Sequence, residues 1–468
     1  MNRENHVDRA SREGRADSAT AQMAEHRAMP ADKSPAGAAE TGEIRQTRWW
    51  KVASTWAAAD QQIKTGQETV QNIVDDRGGA GVQRAAKART TAEASTAVNA
   101  QAVAGAQSVG GGQTASVPAA QAARDAEALA EAAAVLAAGG TVAFPTETVY
   151  GLGADARNTA AVEAIFAAKG RPSDNPLIVH IAELSQLDGL VIEVNETERR
   201  LMEAFWPGPL TLVLPVTPGA VSPRVTAGLS TVAVRMPAHD VALRLIAAAG
   251  CPVAGPSANR SGRPSPTLAS HVGEDLSGRI DGIVDGGPTG VGLESTVVEA
   301  GRDGTVTVLR PGGITAEQIA RVTGAGVKLD AALREAGGGA DSPAPRSPGM
   351  KYTHYAPQGV LRIVRGAADR VAARIQAELA AAAARGEKTG VLAFDERLPS
   401  YRADFALSLG SETELAAAAH RLYAALRRFD ECGVTYILAE SCPEDGLGAA
   451  VMNRLLKAAG HRVIDAGE

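Results

Sequence analysis

The segment from Lys169 to Pro176 combines two cations with two prolines, a set of residue types that suits the binding of a phosphate-rich ligand. Lys169 and Arg171 are two positions apart, on a loop stiffened by Pro172 and Pro176. Arginine presents a planar fork of donors to phosphate oxygens, lysine a mobile point charge, and proline lowers the entropy lost when a loop orders. A structural explanation also fits, in which Lys169 complements the C-terminus of a helix and Arg171 is solvated.

Two further loops carry small polar groups and glycines in the pattern of a ligand pocket. Residues 255–262 follow a short strand and present the side chains of Ser257 and Asn259, which suit a phosphate or a carboxylate. Residues 145–153 follow a buried strand. They carry two threonine hydroxyls, one of them on Thr148, and one carboxylate. Each loop, taken alone, also fits an ordinary turn.

Three single residues have chemistry that their positions leave undecided. His180 ends an alternating apolar run, where a hydrogen-bonded structural role and a catalytic role both fit. Arg235 lies opposite the aliphatic face of its strand and pairs either with a substrate carboxylate or with a structural acid. Arg310 precedes Pro-Gly-Gly and either meets a phosphate or caps a hairpin. No Ser-His-Asp order, HExxH or calcium-loop motif stands out, which removes the common hydrolase and metalloprotease designs.

Strands and helices from residue 122 onward must position these loops. An alanine-rich helix leads into a buried strand before Pro145, and Asn158 caps a second helix that ends at Gly170. Apolar patterning predicts further strands in the ranges 210–214, 231–236, 297–299 and 305–309, the last two as a hairpin. Because the strands do not alternate strictly with helices, a domain with a mixed, largely covered sheet is predicted.

Composition divides the rest of the chain into a tail, a linker and a second domain. Residues 1–118 are poor in large aliphatic residues, so we expect disorder there, with transient helix around Trp49, Trp50 and Trp56. Residues 317–357 contain a linker rich in Gly, Pro and Ser. In residues 358–468, strand and helix patterns alternate, which predicts a small parallel-sheet, Rossmann-like domain. Its predicted strands are 360–365, 389–394 and 434–439, and its predicted helices are 367–385, 412–429 and 447–459.

Overall composition restricts the class of protein and its surroundings. The net charge of −6 argues against a large nonspecific surface for nucleic acid, so any RNA contact is expected to be local. The three cysteines form no CxxC pair, which favours a reducing compartment. No signal sequence or long apolar run is evident. We therefore expect a soluble, cytoplasmic protein without membrane contact.

Seven motifs occur together, in an order and spacing that closely resembles the YrdC-like threonylcarbamoyl-AMP synthase family. They are PTETVYGLG, KGRPSDNPLIVHI, WPGPLTLVL, TVAVRMP, PSANRSGRPSPT, ESTVVE and LRPGG. The resemblance spans roughly residues 125–316, and SPGMKYTHYAP with the domain that follows is similar to the longer, two-domain form of the family. Seven motifs in register are far more specific than any one of them.

The resemblance implies a fold and a set of site residues. The fold is an α/β twisted open mixed sheet with a central cavity, in residues 122–316, and Lys169 and Arg171 take the catalytic role. The residues implied around ATP are Arg171, Asn175, Thr231, Ser257, Asn259, Thr267, Arg310 and Tyr355. Those implied around threonine are Thr148, His180, Arg235 and Thr296. Since a plain spacer needs no such side chains, we also hypothesise that the linker forms a lid, through Arg346, Tyr352 and His354.

The activity implied by the resemblance joins L-threonine, bicarbonate and ATP into threonylcarbamoyl-AMP and pyrophosphate. Mg²⁺ is expected to arrive with ATP, and no metal is expected to be held by the protein itself. The product would pass to a tRNA threonylcarbamoyl transferase complex that modifies the adenosine beside the anticodon, and direct tRNA contact stays open. Two alternatives remain, a double-stranded RNA-binding module and a carbamoyl-transfer enzyme, although the chain lacks the zinc-finger cysteines of the latter.

Overall fold

The computed structural model describes residues 45–54, 116–333 and 354–467, which contain two β-sheets and their flanking helices. The strands are β1 (Arg48–Lys51), β2 (Val142–Phe144), β3 (Gly151–Asp155), β4 (Ile178–His180), β5 (Leu210–Pro215), β6 (Thr231–Arg235), β7 (Val253–Ala254), β8 (Gly282–Asp285), β9 (Thr296–Ala300), β10 (Val306–Arg310), β11 (Val327–Leu329), β12 (Val360–Arg365), β13 (Thr389–Ala393), β14 (Phe405–Ser408), β15 (Tyr436–Glu440) and β16 (Val463–Asp465). The helices are α1 (Ser116–Ala137), α2 (Thr159–Lys169), α3 (Glu196–Phe205), α4 (Pro223–Thr226), α5 (Asp240–Ala249), α6 (Ala269–Leu276), α7 (Ala316–Thr323), α8 (Ala368–Ala384), α9 (Leu415–Glu431) and α10 (Leu447–Ala458). Within this part of the chain, no helix has the length and apolar character needed to cross a membrane.

The first sheet has strand order β1-β8-β2-β3-β7-β4-β6-β5-β9-β10-β11. Parallel pairs such as β4 with β6 alternate irregularly with antiparallel pairs such as β5 with β6. The predicted mixed sheet is confirmed, and so is the predicted hairpin, which is the antiparallel pair of β9 and β10. Chain segments far apart in sequence are therefore neighbours in this sheet.

Register at the centre of the sheet brings two candidate residues side by side. His180 of β4 lies opposite Arg235 of the parallel strand β6. It also lies opposite Val253 of the antiparallel strand β7, from which residues 255–262 continue. The pairing of these three strands thus brings His180, Arg235 and residues 255–262 (the Ser257 loop) close together.

Helix α2 ends where the sequence predicts, and its end positions the first cation. The side chain of Asn158 accepts a hydrogen bond from the Ala161 amide at the N-terminus. Gly170 closes the C-terminus with φ of 60°, a left-handed conformation that glycine adopts without steric cost. The chain turns sharply there, and the Lys169 side chain is left buried at 2% exposure.

The C-terminal residues form the predicted second domain. Its sheet has the order β14-β13-β15-β12-β16, and all of its pairs are parallel. The predicted strands and helices are present with ends shifted by a few residues at most. Strands β14 and β16 were not predicted, because they are edge strands of four and three residues with little apolar alternation.

The two domains share a hydrophobic cluster. Val149 and Leu293 of the first domain pack with Tyr355, with Tyr423 of α9 and with Leu455 of α10. Because Val149 follows Thr148 and Leu293 precedes the ESTVVE motif, the second domain packs directly against the predicted site.

The prediction of disorder for residues 1–118 was wrong for a short internal stretch. Residues 48–51 form β1, which adds a parallel edge strand beside β8. Trp50 is 7% exposed, and its indole nitrogen donates to Glu131 at 2.9 Å. Gly282 of β8 permits this contact, because a β-carbon there would collide with the Trp50 ring. The predicted helix near the tryptophans is instead a strand, while Trp56 and residues 1–44 and 55–115 lie outside the described residues.

The linker begins later than the sequence indicates. Residues 316–329 form α7 and β11, which extend the first sheet beyond β10. Thr315 caps α7 through a reciprocal pair of hydrogen bonds with Gln318, a local signal that the glycine-rich context obscured. The remaining linker, residues 334–353, lies outside the described residues.

We predict that Trp50→Ala lowers the free energy of unfolding by about 3–5 kcal/mol, because it leaves a cavity between β1, β8 and α1. Chemical denaturation measures this value. Trp49→Ala on the same strand is the control, since Trp49 is 50% exposed, and we expect a loss below about 1 kcal/mol. Equal losses in the two variants would show that β1 does not pack as described.

Candidate active site

One cavity gathers most of the predicted site residues at the junction of the first sheet and the C-terminal domain. Its wall contains the predicted residues Thr148, Lys169, Arg171, His180, Arg235, Ser257, Asn259, Arg310, His354 and Tyr355. It also contains residues that were not predicted, namely Thr146, Val149, Gly151, Ile178, Gly255, Pro256, Ser261, Glu294 and Ser295. The sequence motifs therefore converge on a single site.

Lys169 is held against the Ser257 loop. Its ammonium nitrogen donates to the backbone carbonyls of Ser257 and Asn259, and its own carbonyl accepts from the Ser261 amide at 2.9 Å. Burial, and then the charge of Arg171, lower the pKa of Lys169 well below its usual value. An anion in the cavity would favour the charged form again.

The Ser257 loop is ordered by its own side chains. The Ser257 hydroxyl donates to the amide oxygen of Asn259 at 2.5 Å, and the amide nitrogen of Asn259 donates to the carbonyls of Arg260 and Arg263 at 2.8 and 2.9 Å. Asp275 of α6 accepts from the Arg260 amide at 3.1 Å. The loop thus presents its polar groups to the cavity in one fixed conformation.

Arg235 is a buried guanidinium with three protein partners. Its Nη2 lies 2.6 Å from the carboxylate of Glu147, Nη1 donates to the Thr148 hydroxyl at 2.8 Å, and Nε donates to the Gly208 carbonyl at 3.2 Å. Arg235 and Glu147 are 3% and 2% exposed. The sequence left a structural acid and a substrate carboxylate open as partners, and the structural acid is present.

His180 is neutral at physiological pH. Burial, and then the adjacent charge of Arg235, lower the pKa of His180 to about 3. Its ring meets Phe144 edge to face, with 5.8 Å between the centroids. His180 therefore offers the cavity a polar ring without a charge, and it does not act as a proton donor of ordinary acidity.

Arg310 lies in the cavity wall beside the ESTVVE segment. Its guanidinium donates from Nε to the Ser295 carbonyl and from Nη2 to the Ser295 hydroxyl, both at 3.1 Å. Glu294 lies beside it and is 7% exposed. Although burial alone raises the pKa of Glu294, the charges of Arg454 and Arg310 outweigh burial and lower the pKa to about 2.

The end of the linker closes one side of the cavity. Tyr355 stacks on Tyr423 of α9, with 5.1 Å between the ring centroids, and the Ala356 amide donates to the Gly262 carbonyl at 2.9 Å. Burial, and then the charge of Arg171, lower the pKa of His354 to about 3. The other two residues of the hypothesised lid, Arg346 and Tyr352, lie outside the described residues.

Four predicted residues do not line this cavity. Thr296 is engaged with Ile314, whose carbonyl accepts from its hydroxyl at 2.6 Å. Thr231 lies at the start of β6, Asn175 is fully buried between Arg171 and β4, and Thr267 is buried before α6. Their contacts with ATP or threonine stay predictions.

The residues that sequence reasoning missed are mostly partners of the predicted ones. Glu147 and Glu294 lie inside the quoted motifs PTETVYGLG and ESTVVE, yet their roles depend on Arg235 and on Arg454, which are distant in sequence. A carboxylate between two threonine hydroxyls was a visible signal for a pocket, but the sequence alone does not name its partner.

The chemistry that this site suits is the binding and alignment of anions. Lys169, Arg171, Arg235 and Arg310 face one cavity together with hydroxyl and amide donors. Among residues 45–54, 116–333 and 354–467, no group of three or more His, Cys, Asp or Glu side chains is placed to hold a metal ion. The site therefore resembles an anion clamp more than a metal centre or a nucleophile with its base.

Two family models match adjacent parts of the chain. The model described as "Telomere recombination", Sua5_yciO_yrdC, matches residues 134–312. The model described as "Threonylcarbamoyl-AMP synthase, C-terminal domain" matches residues 314–460. Together they contain all of the described cavity residues.

Two similar curated proteins are both named threonylcarbamoyl-AMP synthase. The threonylcarbamoyl-AMP synthase of Bacillus subtilis is 56% identical over 69% of this chain and 90% of its own length, and that of Pyrococcus abyssi is 50% identical over 70% and 92%. A crystal structure of P. abyssi Sua5 complexed with L-threonine is 47% identical, with a TM-score of 0.68 over 73% of this chain and 96% of that one. The chain therefore belongs to the Sua5/YrdC family of threonylcarbamoyl-AMP synthases, in its long, two-domain form.

Proposed function

We propose that the chain makes threonylcarbamoyl-AMP from L-threonine, bicarbonate and ATP, and releases pyrophosphate. The observation that supports this best is the cavity in which Lys169 and three arginines meet small polar donors. Relatives at 56% and 50% identity are named threonylcarbamoyl-AMP synthase, and a related structure holds L-threonine. The triphosphate, the amino acid and the carbamate are all anionic or zwitterionic, which suits such a cavity.

One group of cavity residues suits the nucleotide. Lys169 and Arg171 lie at the end of α2, the Ser257 loop provides hydroxyl and amide groups, and Arg310 is also part of the cavity wall. Phosphate oxygens between these groups would restore the charge on Lys169 that burial disfavours. We assign Lys169 and Arg171 the role of stabilising charge that develops on the leaving pyrophosphate.

A second group of cavity residues suits threonine. Arg235 is fixed by Glu147, Thr148 and the Gly208 carbonyl, so its guanidinium is oriented before any ligand arrives. A carboxylate is the natural partner for the remaining donors of a guanidinium. Neutral His180 lies beside it and tolerates the ammonium or amine of an amino acid.

The reaction then depends more on alignment of the reactants than on acid–base or nucleophilic catalysis by protein side chains. The threonine amine bonds to the carbon of carbon dioxide and loses a proton to solvent, or bonds to the carbon of bicarbonate with loss of water, to give a carbamate. One oxygen of the carbamate then attacks the α-phosphorus of ATP. The bond from that phosphorus to the bridging oxygen breaks, and pyrophosphate leaves. Held reactants react faster because their translational and rotational freedom is already lost. His354 and Tyr355, which close one side of the cavity, would also limit access of water.

We propose that Mg²⁺ enters with ATP. The described residues offer no cluster of carboxylates for a metal, and Glu294 is already bound by Arg454 and Tyr423. Magnesium commonly binds phosphate oxygens and water with few protein ligands, so the cavity is compatible with a metal–nucleotide complex. When bound, the ion would neutralise charge on the β- and γ-phosphates.

We further propose that the product passes to a separate tRNA threonylcarbamoyl transferase complex, with a cytoplasmic site of action. Cys251, Cys432 and Cys442 are free thiols, which agrees with a reducing compartment. Direct contact with tRNA is left as an open part of this proposal.

Pyrophosphate release is predicted to require threonine and bicarbonate together, because the attacking group is the carbamate and not water. A coupled pyrophosphate assay with ATP, in carbon dioxide-depleted buffer, measures each omission. Release at an unchanged rate without threonine or without bicarbonate would contradict the proposed function.

Replacement of Arg235 by Lys is expected to raise the KM for threonine by about tenfold or more, while the KM for ATP changes by less than about twofold. Lysine keeps the charge but loses the planar fork that meets Glu147, Thr148 and a carboxylate at once. Arg224→Lys is the control, since Arg224 is an exposed partner of Glu163 outside the cavity. A rise in the ATP KM as large as that for threonine would place Arg235 at the nucleotide.

A further inference from the structure

The Glu294 carboxylate lies in the wall of a cavity that is otherwise built for anions. Its neighbours in that wall are Ser295 and Arg310. An uncompensated negative charge at this place would repel a polyphosphate and compete for the guanidinium of Arg310. The structure therefore needs a source of compensating charge for Glu294.

That charge comes from the C-terminal domain. Arg454 of α10 donates from Nε to Glu294 Oε2 at 2.9 Å, and the hydroxyl of Tyr423 of α9 donates to the same oxygen at 2.8 Å. Both side chains are fully buried. The other carboxylate oxygen accepts from the hydroxyl of Ser265 in the first domain. Both carboxylate oxygens of Glu294 thus have hydrogen-bond donors other than Arg310.

Arg454 also supports the loop that carries Arg310. Its Nη1 donates to the Pro311 carbonyl at 2.8 Å, directly after Arg310 in sequence. Lys457, one turn further along α10, is half-buried, and burial and then Arg454 and Arg310 lower its pKa to about 7. Helix α10 therefore places the charged side chains of Arg454 and Lys457 near Glu294 and Arg310.

We propose that Arg454 and Tyr423 are positioning residues through which the C-terminal domain neutralises Glu294, so that Glu294 adds no net negative charge to the part of the cavity wall where the phosphates of ATP bind. The proposal rests on the proposed function for the identity of the anion. It assigns a task to the second domain, which supplies a counter-charge to the catalytic cavity without touching the substrate.

The chain contains a matched control for this arrangement. Within the C-terminal domain, buried Glu440 accepts from Arg397 at 2.8 and 3.0 Å and from the hydroxyl of Tyr401. This triad repeats the chemistry of Glu294, Arg454 and Tyr423, but none of its members lines the cavity. Damage to a buried carboxylate triad in general can thus be separated from an effect on the anion site.

The test compares ATP and threonine dissociation constants, measured by calorimetry on the full chain. Arg454→Gln is expected to weaken ATP binding by about tenfold, on the order of the effect of one uncompensated unit charge near a partly buried anion site. Threonine binding, which involves no net charge, should change by less than about twofold. In turnover, the KM for ATP should rise more than kcat falls.

The decisive variant removes both charges. If neutralisation is the role of Arg454, the pair Arg454→Gln with Glu294→Gln restores ATP affinity to within about threefold of the unaltered protein. Arg454→Lys, which keeps the charge, should do the same, and Arg397→Gln should leave both affinities within about twofold. Tyr423→Phe, compared with Tyr401→Phe, should weaken ATP binding by less than Arg454→Gln does.

The proposal is overturned if the double variant binds ATP no better than Arg454→Gln, or if threonine affinity falls as much as ATP affinity. Should Arg454→Gln not fold, the double variant and Arg454→Lys carry the test, and a tenfold loss in either one overturns it. Pyrophosphate release by the unaltered protein tests the proposed function separately, because the binding comparison needs no turnover.

Discussion

The need to stabilise buried cations constrains the whole structure. Lys169, Arg235 and Arg310 are each less than 5% exposed, and a buried ion costs several kcal/mol unless it is hydrogen-bonded or paired. Lys169 is held by backbone carbonyls, Arg235 by Glu147 and Arg310 by Ser295. These partners hold the three cations in the wall of one cavity before a ligand binds, which is the preorganisation that anion binding requires.

This constraint explains why the site draws on distant segments. Glu147 and Thr148 come from the loop after β2, Arg235 from the end of β6, and Glu294 from the segment before β9, and only the order of strands in a mixed sheet brings them together. The second domain then buries the outer side of Glu294 with Arg454. Both domains consequently contribute to one electrostatic unit, in agreement with a family in which both parts occur in one chain.

Much of the fold and the site could be predicted from the sequence, where signals are local. The cap at Asn158, the stop at Gly170 and the regular C-terminal alternation depend on neighbouring residues, and these predictions were confirmed. Strand β1 was missed because four residues in a polar tail carry no periodicity, and its stability comes from Trp50 packing against distant Gly282. The ion pairs of Glu147 and Glu294 were missed for the same reason, since long-range pairing leaves no spacing to detect.

A crystal structure of this chain with L-threonine and a non-hydrolysable ATP analogue tests the central claim of preorganisation most directly. We expect the threonine carboxylate within hydrogen-bond distance of Arg235 and the phosphates between Lys169, Arg171 and Arg310, with Glu147 and Glu294 keeping their present partners. Ligands bound elsewhere, or a cavity whose Arg235–Glu147 and Arg454–Glu294 pairs separate when the ligands bind, would contradict the account.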